Sequence, residues 1–266
     1  MSTRALSTAA TGMQSMSTAI DVISNNLSNI STTGHKRERA EFSDLLYQKE
    51  ARAGIVSDSA GNIIPAGINV GLGSKVIGIY RIYEQGPLSQ TFNTYDIAIR
   101  DNGFFRIEMP DGSYSYTRAG SFRLSANSEL VTDKGLVVTP GIIIPPNVIA
   151  DSVTINQDGQ VSVKVQGNIL PEIVGQIDLV DFPNPVGLDA IGDNLLIETA
   201  ASGAPVVGVA NTDGMGSLIQ GWLENSNVNP VTELTELIKA QRGYELCSKA
   251  IIASDEMMQT VNRLKQ

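Results

Sequence analysis

The chain of 266 residues is short of the residue types that most often carry out chemistry, with one cysteine, one histidine and one tryptophan. Cys247 alone excludes an internal disulfide framework and a thiolate zinc site, and His35 alone excludes a site built from several imidazoles. The sequence also lacks G-x-S-x-G, H-E-x-x-H and an acidic pair at catalytic spacing. We therefore predict no enzyme activity, no catalytic residue, no cofactor, no metal ion and no small-molecule substrate.

Long apolar runs are missing too. No segment approaches the roughly 20 apolar residues that a membrane-spanning helix needs. The N-terminus has no apolar core of the length that a cleaved secretory signal requires. Two destinations fit this pattern: the cytoplasm, or export by a route that cleaves no signal.

Basic residues are scarce in the middle of the chain. Residues 86–210 carry six bases against fourteen acids, which accounts for most of the formal net charge of -9. Residues 1–40 have a net charge of +2, and residues 227–266 have none. An acidic middle repels phosphate groups, so we expect no nucleic-acid partner.

The first thirty residues have a regular apolar stripe. Its members are separated by alternating gaps of three and four residues, a heptad pattern sustained over more than three repeats. Such a narrow stripe must face another helix, and a helix with so little apolar surface is unstable alone in water. We predict a helix from about Thr3 to Ile30 whose stripe consists of Leu6, Ala9, Met13, Met16, Ile20, Ile23, Leu27 and Ile30.

A second stripe with the same spacing follows Pro230, a residue suited to a first helical turn. Because each stripe needs a partner, we predict that the two terminal helices pair and become fully ordered only in an assembly. The thiol on the second stripe is expected to be a buried, inert packing group. This stripe consists of Leu237, Ala240, Tyr244, Cys247, Ile251, Ser254, Met258 and Val261.

Between the helices the sequence indicates β-structure and loops. The clearest hairpin surrounds Asp158-Gly159, and further strands are expected at 142–146 and 173–182. Residues 203–216 resemble a loop, and residues 49–75 an extended linker or a long β-hairpin-like segment.

The predicted fold class is therefore α+β. The N- and C-terminal α-helices pair as a coiled-coil-like bundle, and a central mainly-β domain and extended linkers separate them. We predict three parts: a terminal helical domain of 1–34 with 228–266, a connecting segment of 35–85 with 211–227, and an outer domain of 86–210.

A short cluster of mixed charge follows the first helix. Lys36, Arg37 and Arg39 alternate with acids, which favours a solvated junction over a nucleic-acid patch. His35 has no second histidine to work with, so we interpret it as a surface residue.

The run from Ser24 to Arg37, SNNLSNISTTGHKR, resembles the N-terminal signature of bacterial flagellar rod and hook proteins. In that family an Asn-Asn-Leu-Ala/Ser-Asn core precedes Ser/Thr-x-Gly-Phe-Lys. Further matches extend over the whole length, among them DIAI, GFF, PDG, YTRAGSF, LVT and SNVN. The signature residues here are Asn25, Asn26, Leu27, Asn29, Gly34, Lys36 and Arg37.

Some positions depart from the family pattern. His35 stands where the family has Phe, and Asp101 and Ser128 stand where it has Gly. The total length and the insert between Tyr47 and Val76 are typical of the distal-rod members.

The resemblance implies a subunit that self-assembles into a rigid helical tube, transmits motor torque to the hook and encloses the export channel. It implies contacts with further copies, proximal rod proteins, hook protein, P-ring and L-ring proteins and the flagellar type III export apparatus. The location would be the basal body in the periplasm, reached without signal cleavage. The expected assembly interface comprises Leu6, Met13, Met16, Ile20, Ile23, Leu27, Ile30, Leu237, Tyr244, Ile251, Met258 and Val261.

Three other interpretations compete with this one. The chain could be another axial component, a proximal rod or hook subunit. It could be a β-domain enzyme with helical oligomerisation tails, or an adhesin whose terminal coiled coils form a parallel trimer. The insert of residues 48–76 distinguishes the first of these, because its composition suggests a segment that bridges neighbouring subunits.

Overall fold

A computed structural model describes residues 2–51, 67–145, 148, 152–165, 170–212 and 214–264. Two long helices lie at the ends of the sequence, and the rest is mainly strands, so the chain is α+β. It divides into two compact units. Unit 1 comprises Met1–Leu27, Glu38–Tyr80 and Asn229–Gln266, and unit 2 comprises Ser28–Arg37 and Arg81–Val228.

The helices of unit 1 are α1, Ser2–Ser28, and α2, Pro230–Leu264. The helix predicted from about Thr3 to Ile30 is present as α1, which ends two residues earlier, where the carbonyl oxygen of Asn29 accepts a turn hydrogen bond from the backbone N–H of Thr32. Among the described residues, no helix is both long and apolar enough to cross a membrane.

The start of α2 is fixed by Asn229. Its Oδ1 atom accepts hydrogen bonds from the backbone N–H groups of Val231, at 3.0 Å, and Thr232, at 3.4 Å. These contacts satisfy donors that a first helical turn otherwise leaves unpaired.

Unit 1 also contains two ribbons of two strands each. Strand β1, Glu38–Asp44, pairs with β4, Ser74–Arg81, and β2, Tyr47–Ala51, pairs with β3, Ile68–Gly71. Of the two interpretations of 49–75, an extended linker or a β-hairpin-like segment, the described ends agree with the second, because β2 and β3 pair antiparallel. Residues 52–66, the middle of that prediction, lie outside the described residues.

Unit 2 is built from short strands: β5 Leu88–Gln90, β6 Ile97–Arg100, β7 Phe104–Glu108, β8 Tyr114–Thr117, β9 Phe122–Leu124, β10 Leu130–Thr132, β11 Val137–Val138, β12 Thr154–Ile155, β13 Gln160–Val163, β14 Glu172–Gln176, β15 Asp178–Asp181, β16 Asp189–Gly192, β17 Leu195–Ile197, β18 Val206–Val209, β19 Ser217–Gln220 and β20 Trp222–Glu224. The largest sheet has the order β16-β17-β8-β7-β11-β10-β9 and also includes β15, beside β7, and β18, beside β15. Smaller sheets are β12-β13-β14, β19-β6 and β20-β5.

The core of unit 2 lies between these sheets. Phe105 and Phe122 are buried and meet edge to face, with ring centroids 5.0 Å apart. A second cluster is centred on Phe182, whose ring packs edge to face against Phe104 and Tyr116. Aromatic contacts of this geometry add to the free energy gained from area burial.

Several local predictions can be compared with these strands. The hairpin around Asp158-Gly159 is confirmed, with Ile155 opposite Val161. The predicted strand at 142–146 is wrong in its described part, where Ile143 forms a single bridge to Glu129, since the prolines at the end of this segment cannot donate ladder hydrogen bonds. The loop predicted at 203–216 contains strand β18, whose valines pair with β15.

Candidate assembly surface and buried junction cluster

The two terminal helices contact each other within unit 1. A Cβ atom added at Gly12 would lie 3.1 Å from Sγ of Cys247, and one added at Gly243 would lie 2.9 Å from Sδ of Met16. Along α1 the contacts move forward from Gly12 to Met16, and along α2 they move back from Cys247 to Gly243. The helices therefore run antiparallel. Glycine at each contact lets the partner's sulfur atom approach the backbone closely.

The predicted α1 stripe is only partly covered. Its interface members, from Leu6 to Leu27, are half-buried, and Ile30 beyond the helix is half-buried as well. On α2 the members Leu237, Ile251 and Met258 are half-buried, whereas Tyr244 is 40% and Val261 62% exposed. Contacts inside one chain therefore leave part of the predicted interface open.

A second apolar surface lies on the other side of α2. At 100° per residue, four large aliphatic side chains fall on the face opposite Ala240, Cys247 and Ser254, and a fifth, Leu246, lies at the side of that face. All are between 46% and 72% exposed. The sequence interpretation missed this face because it followed one stripe per helix, although the 3-4 spacing at the start of α2 was visible. We call it the outer stripe: Val231, Leu234, Ile238, Leu246 and Ile252.

Asn26 of the signature is buried and connects three elements of unit 1. Its Nδ2 donates to the carbonyl oxygen of Glu38 at 2.8 Å and to Oε2 of Glu233 at 3.1 Å. Its Oδ1 accepts from the backbone N–H of Glu38 at 2.8 Å. The side chain therefore bonds to the backbone of β1 as a neighbouring strand would, while also bonding to a buried carboxylate on α2. Asn25 is exposed, and Asn29 is half-buried.

Gly34 of the signature lies against the backbone of unit 2. Its φ of +70° is in the left-handed region, and a Cβ atom there would lie 2.7 Å from the backbone nitrogen of Ala119 and 2.9 Å from the carbonyl carbon of Arg118. Glycine is therefore required at this position both by the backbone conformation and by the space available.

Glu224 accepts hydrogen bonds from two buried cations. Its Oε1 lies 2.6 Å from Nζ of Lys36, and its Oε2 lies 2.6 Å from Nε of Arg118. Oε1 also accepts from the backbone N–H of Gly86 at 2.9 Å, and the Glu224 carbonyl oxygen accepts from that of Gly34 at 2.8 Å. The carboxylate is thus the common partner of groups far apart in the sequence.

The cations of this cluster make further contacts. Nζ of Lys36 donates to the carbonyl oxygen of Glu84 at 2.8 Å. The guanidinium of Arg118 donates to the carbonyl oxygens of Ile99, Asp101 and Gly103. These bonds compensate the removal of the charges from water, which otherwise costs several kcal/mol per ion.

Burial and charge shift the pKa values of the cluster. Burial raises the pKa of the Glu224 carboxyl, but Arg118 and Lys36 outweigh that effect, so the pKa lies below its ordinary 4.5. Burial lowers the pKa of the Lys36 ammonium below 10.5, although Glu224 opposes the shift. Glu224 is therefore ionised at neutral pH.

Asn227 joins two other stretches beside this cluster. Its Oδ1 accepts from the backbone N–H of Arg37 at 2.7 Å, and its Nδ2 donates to the carbonyl oxygens of Ile82, at 2.9 Å, and Glu84, at 3.0 Å. These three bonds lie inside unit 2, as does the backbone bond from Ile82 N–H to the Arg37 carbonyl oxygen at 2.9 Å.

Two interpretations of the basic junction are corrected by these contacts. Lys36 is 5% and His35 is 9% exposed, so neither is a solvated surface residue. The sequence could not show this, because the carboxylate that partners Lys36 lies 188 positions away. In the part of the chain that the structure describes, no group of three or more His, Cys, Asp or Glu side chains could hold a metal ion.

Family models match three separate parts of the chain. Residues 6–36 match the flagella basal body rod protein model, and residues 98–163 match the D1 domain model of the flagellar hook protein FlgE/F/G. Residues 219–264 match the C-terminal model of the flagellar basal body rod FlgEFG proteins.

Several curated relatives match over nearly the full length. The flagellar basal-body rod protein FlgG of Borreliella burgdorferi is 48% identical over 263 residues, covering 99% of both chains. FlgG of Caulobacter vibrioides is 48% identical over 262 residues, 98% of this chain and 99% of that one. FlgG of Bacillus subtilis is 39% identical over 269 residues, 99% of both.

Among solved structures, the crystal structure of Helicobacter pylori flagellar hook protein FlgE2 is 16% identical and covers 71% of this chain and 43% of that one. Its TM-score of 0.24 is too low to support an argument about the fold. The full-length relatives carry the assignment: the chain belongs to the flagellar basal-body rod protein family, as a structural subunit of the rod.

Proposed function

We propose that the chain forms the distal rod by self-assembling into a rigid helical tube that transmits motor torque to the hook and encloses the export channel. The similarity to FlgG proteins over the full length supports this position in the flagellum. The observation that carries the assembly step is the outer stripe. One face of α2 contacts α1, and the opposite face presents large aliphatic side chains to water.

Burial of the outer stripe supplies the driving force. Removing apolar surface from water yields about 25 cal/mol per Å², so covering five aliphatic side chains is favourable. A contact between different surfaces of identical copies generates a helical filament when its rotation does not close a ring. In this proposal residues 1–34 with 228–266 pair as a coiled-coil-like bundle and pack around the channel, 35–85 with 211–227 connect, and 86–210 face outwards.

The ribbon of β2 and β3 is proposed to stiffen the tube. Its described arms expose Tyr47 and Ile68, at 55% and 56%, which leaves apolar surface available for a neighbouring copy. If segment 48–76 bridges neighbours in this way, deleting residues 51–70 makes assembled filaments more flexible. Filaments as straight and rigid as before would rule out the bridging role.

The proposed partners are further copies, proximal rod proteins, hook protein, the P-ring and L-ring proteins and the flagellar type III export apparatus. The proposed location is the basal body in the periplasm, after export without signal cleavage. Matches to rod family models at both ends of the chain, and to the hook protein FlgE/F/G D1 model over residues 98–163, support placement between rod and hook components.

Assembly of the purified chain tests the proposal. At high concentration the wild-type protein is expected to form straight filaments, seen by electron microscopy and recovered by sedimentation. Ile238→Lys places a charge in the outer stripe, 59% exposed, and is expected to leave a folded monomer. The control, Leu170→Lys, replaces an apolar side chain of unit 2 that is 78% exposed and should assemble normally. Normal assembly of Ile238→Lys would refute the role of the outer stripe, and curved filaments would favour a hook subunit.

A further inference from the structure

A cleft of about 390 Å³ lies within unit 2, where four stretches of the chain meet. Its walls come from residues 29–33, 117–121, 132–136 and 193–195, and we call it the polar cleft. It shares no lining residue with the outer stripe or with the ion pairs of Glu224. Its volume lies within the range of sites that hold small molecules, about 300–1,000 Å³.

The lining of the polar cleft is mostly hydroxyl and carboxamide groups, such as those of Thr33, Ser121 and Asn194. Among the described residues that line it there is no aromatic ring. The cleft therefore offers no platform on which a base or another flat ring could stack, and too little apolar surface for a fatty chain. Hydroxyls and carboxamides both donate and accept hydrogen bonds, so the lining suits a polar ligand that does the same.

Charged groups of both signs also line the polar cleft. Asp133 is held by two neighbours, since its carboxylate accepts from Nε of Arg123 at 2.6 Å and from Oγ of Ser121 at 3.2 Å. Lys134 and Asp193 meet from two different turns, with Nζ and Oδ1 3.4 Å apart, which is long for a hydrogen bond. Their side chains are 64% and 60% exposed, so water screens this ion pair and it opens easily.

The turn that carries Asp193 is held from both sides. Asp193 and Asn194, with φ of +52° and +59°, join β16 to β17 in the left-handed conformation that tight hairpins use. Thr117 Oγ1 donates to the carbonyl oxygen of Asn194 at 2.9 Å, and Asn194 Nδ2 donates to that of Thr33 at 2.9 Å. These bonds keep the backbone at Asp193 beside the cleft while its carboxylate can exchange one partner for another.

We propose that the polar cleft binds a small zwitterion, a molecule with one ammonium and one carboxylate group, as in a short peptide with free ends. The ligand's carboxylate pairs with the Lys134 ammonium and its ammonium with the Asp193 carboxylate, so two ion pairs replace one weak pair. A zwitterion adds no net charge, whereas a simple anion is repelled by the acidic excess of residues 86–210. No bond of the ligand is made or broken. The site goes beyond the proposed function and does not depend on it.

Titration of the full-length, isotope-labelled protein with glycylglycine, followed by NMR at low ionic strength, tests the proposal. Saturable shifts are expected for amides of 132–136 and 193–195, with a Kd on the order of 10 mM, typical for a ligand of about nine non-hydrogen atoms. Lys134→Gln and Asp193→Asn each remove one charge and should weaken binding at least about tenfold. Lys164→Gln removes an exposed charge of unit 2 outside the cleft and should bind like the wild type.

Two further compounds test which ligand groups are recognised. N-acetylglycinamide has amide groups but no charged ends, and trehalose is a neutral polyol. Each should bind at least about tenfold more weakly than glycylglycine. Equal or tighter binding of either compound, shifts that do not saturate, or unchanged binding in Lys134→Gln or Asp193→Asn would overturn the proposal. The dispersion of each NMR spectrum shows that the variant is folded.

Discussion

Nδ2 of Asn26 lies 3.1 Å from Oε2 of Glu233, although 207 positions separate these residues. The same amide group bonds twice to the backbone of Glu38. One buried side chain therefore joins the end of α1 to the start of β1 and to the first turn of α2. In the family signature, position 26 consequently specifies how three elements of unit 1 meet, in addition to where a helix stops.

Replacing Asn26 with Ala is expected to destabilise unit 1. The substitution removes two hydrogen bonds to backbone groups and one to a carboxylate, which together correspond to about 2–4 kcal/mol. Urea unfolding followed by circular dichroism measures the change. The control, Gln14→Ala, alters an exposed side chain of the same helix and should change the free energy of unfolding by less than about 0.5 kcal/mol. Equal stabilities of the two variants would contradict the role assigned to Asn26.

Gly34→Ala is expected to lower the free energy of unfolding more than Gly135→Ala does. Both glycines have positive φ, +70° and +82°. Both variants are therefore destabilised by about 1–2 kcal/mol, because a residue with a Cβ atom is strained in the left-handed region. Only at Gly34 does the added Cβ meet backbone atoms within 3 Å, whereas nothing lies within 4 Å at Gly135. Thermal unfolding gives the difference between the variants, which isolates the cost of the clash. Indistinguishable melting temperatures would show that Gly34 is needed for its dihedral angles alone.

Glu224→Gln is expected to lower stability at neutral pH by about 3–5 kcal/mol, because two buried cations lose their counter-charge. The wild-type carboxyl has a pKa below its unfolded 4.5, so the unfolded state takes up its proton first as the pH falls. Its stabilisation is therefore complete above pH 4.5 and is lost as the pH falls through the lower, folded pKa.

Unfolding free energies measured between about pH 7 and pH 2.5 test this sign. The gap between wild type and Glu224→Gln should shrink in acid, whereas Glu172→Gln, at an exposed position, should follow the wild type throughout. A gap that widens as the pH falls would mean that the charge of Glu224 does not stabilise the fold.

Ser128→Gly is expected to stabilise unit 2 by up to about 1 kcal/mol. Ser128 has φ of +62°, a conformation that glycine adopts without the penalty paid by residues with a Cβ atom. The neighbouring Ala126, exposed and outside the left-handed region, provides the control. Ala126→Gly should destabilise by about 0.5–1 kcal/mol, since it only adds freedom to the unfolded chain. Differential scanning calorimetry measures the melting temperature of each variant. A melting temperature below that of the wild type in both would contradict the prediction.

Assembly is expected to need a lower protein concentration when salt is added. Residues 86–210 carry fourteen acids and six bases, so these regions of neighbouring copies repel each other. Raising the ionic strength from about 10 mM to about 150 mM shortens the screening length from roughly 30 Å to roughly 8 Å. Sedimentation assays at both salt concentrations measure the threshold. Glu198→Gln with Asp189→Asn should reduce its salt dependence, and a threshold that rises with salt would contradict the repulsion.

Local patterns of the sequence were sufficient for some of these elements. The heptad spacing predicted both helices and the position of Cys247 on the face of α2 that contacts α1. Alternation of apolar residues around Asp158-Gly159 predicted a hairpin. Asp101 and Ser128, which replace family glycines, both have positive φ, a backbone conformation that glycine adopts without strain.

Contacts distant in the sequence could not be found in this way. Arg118 and Glu224 are 106 positions apart, and nothing in either segment alone identifies the other as its partner. The sequence around Lys36 therefore indicates a solvated charge, although the side chain is buried in the fold. Strand β18 was missed for a related reason, since Val206–Val209 is short and becomes a strand by pairing with β15.

The antiparallel contact of α1 with α2 determines where a reporter can be attached. Because Gly12 faces Cys247, the beginning of α1 lies beside the later turns of α2, and a tag fused to either end of the chain enters the same helical region. The turn at Gly112 offers a different position, since a side chain built there meets no atom within 4 Å. A fluorophore or affinity peptide inserted into that turn would label the protein without burdening the helices on which its assembly is proposed to depend.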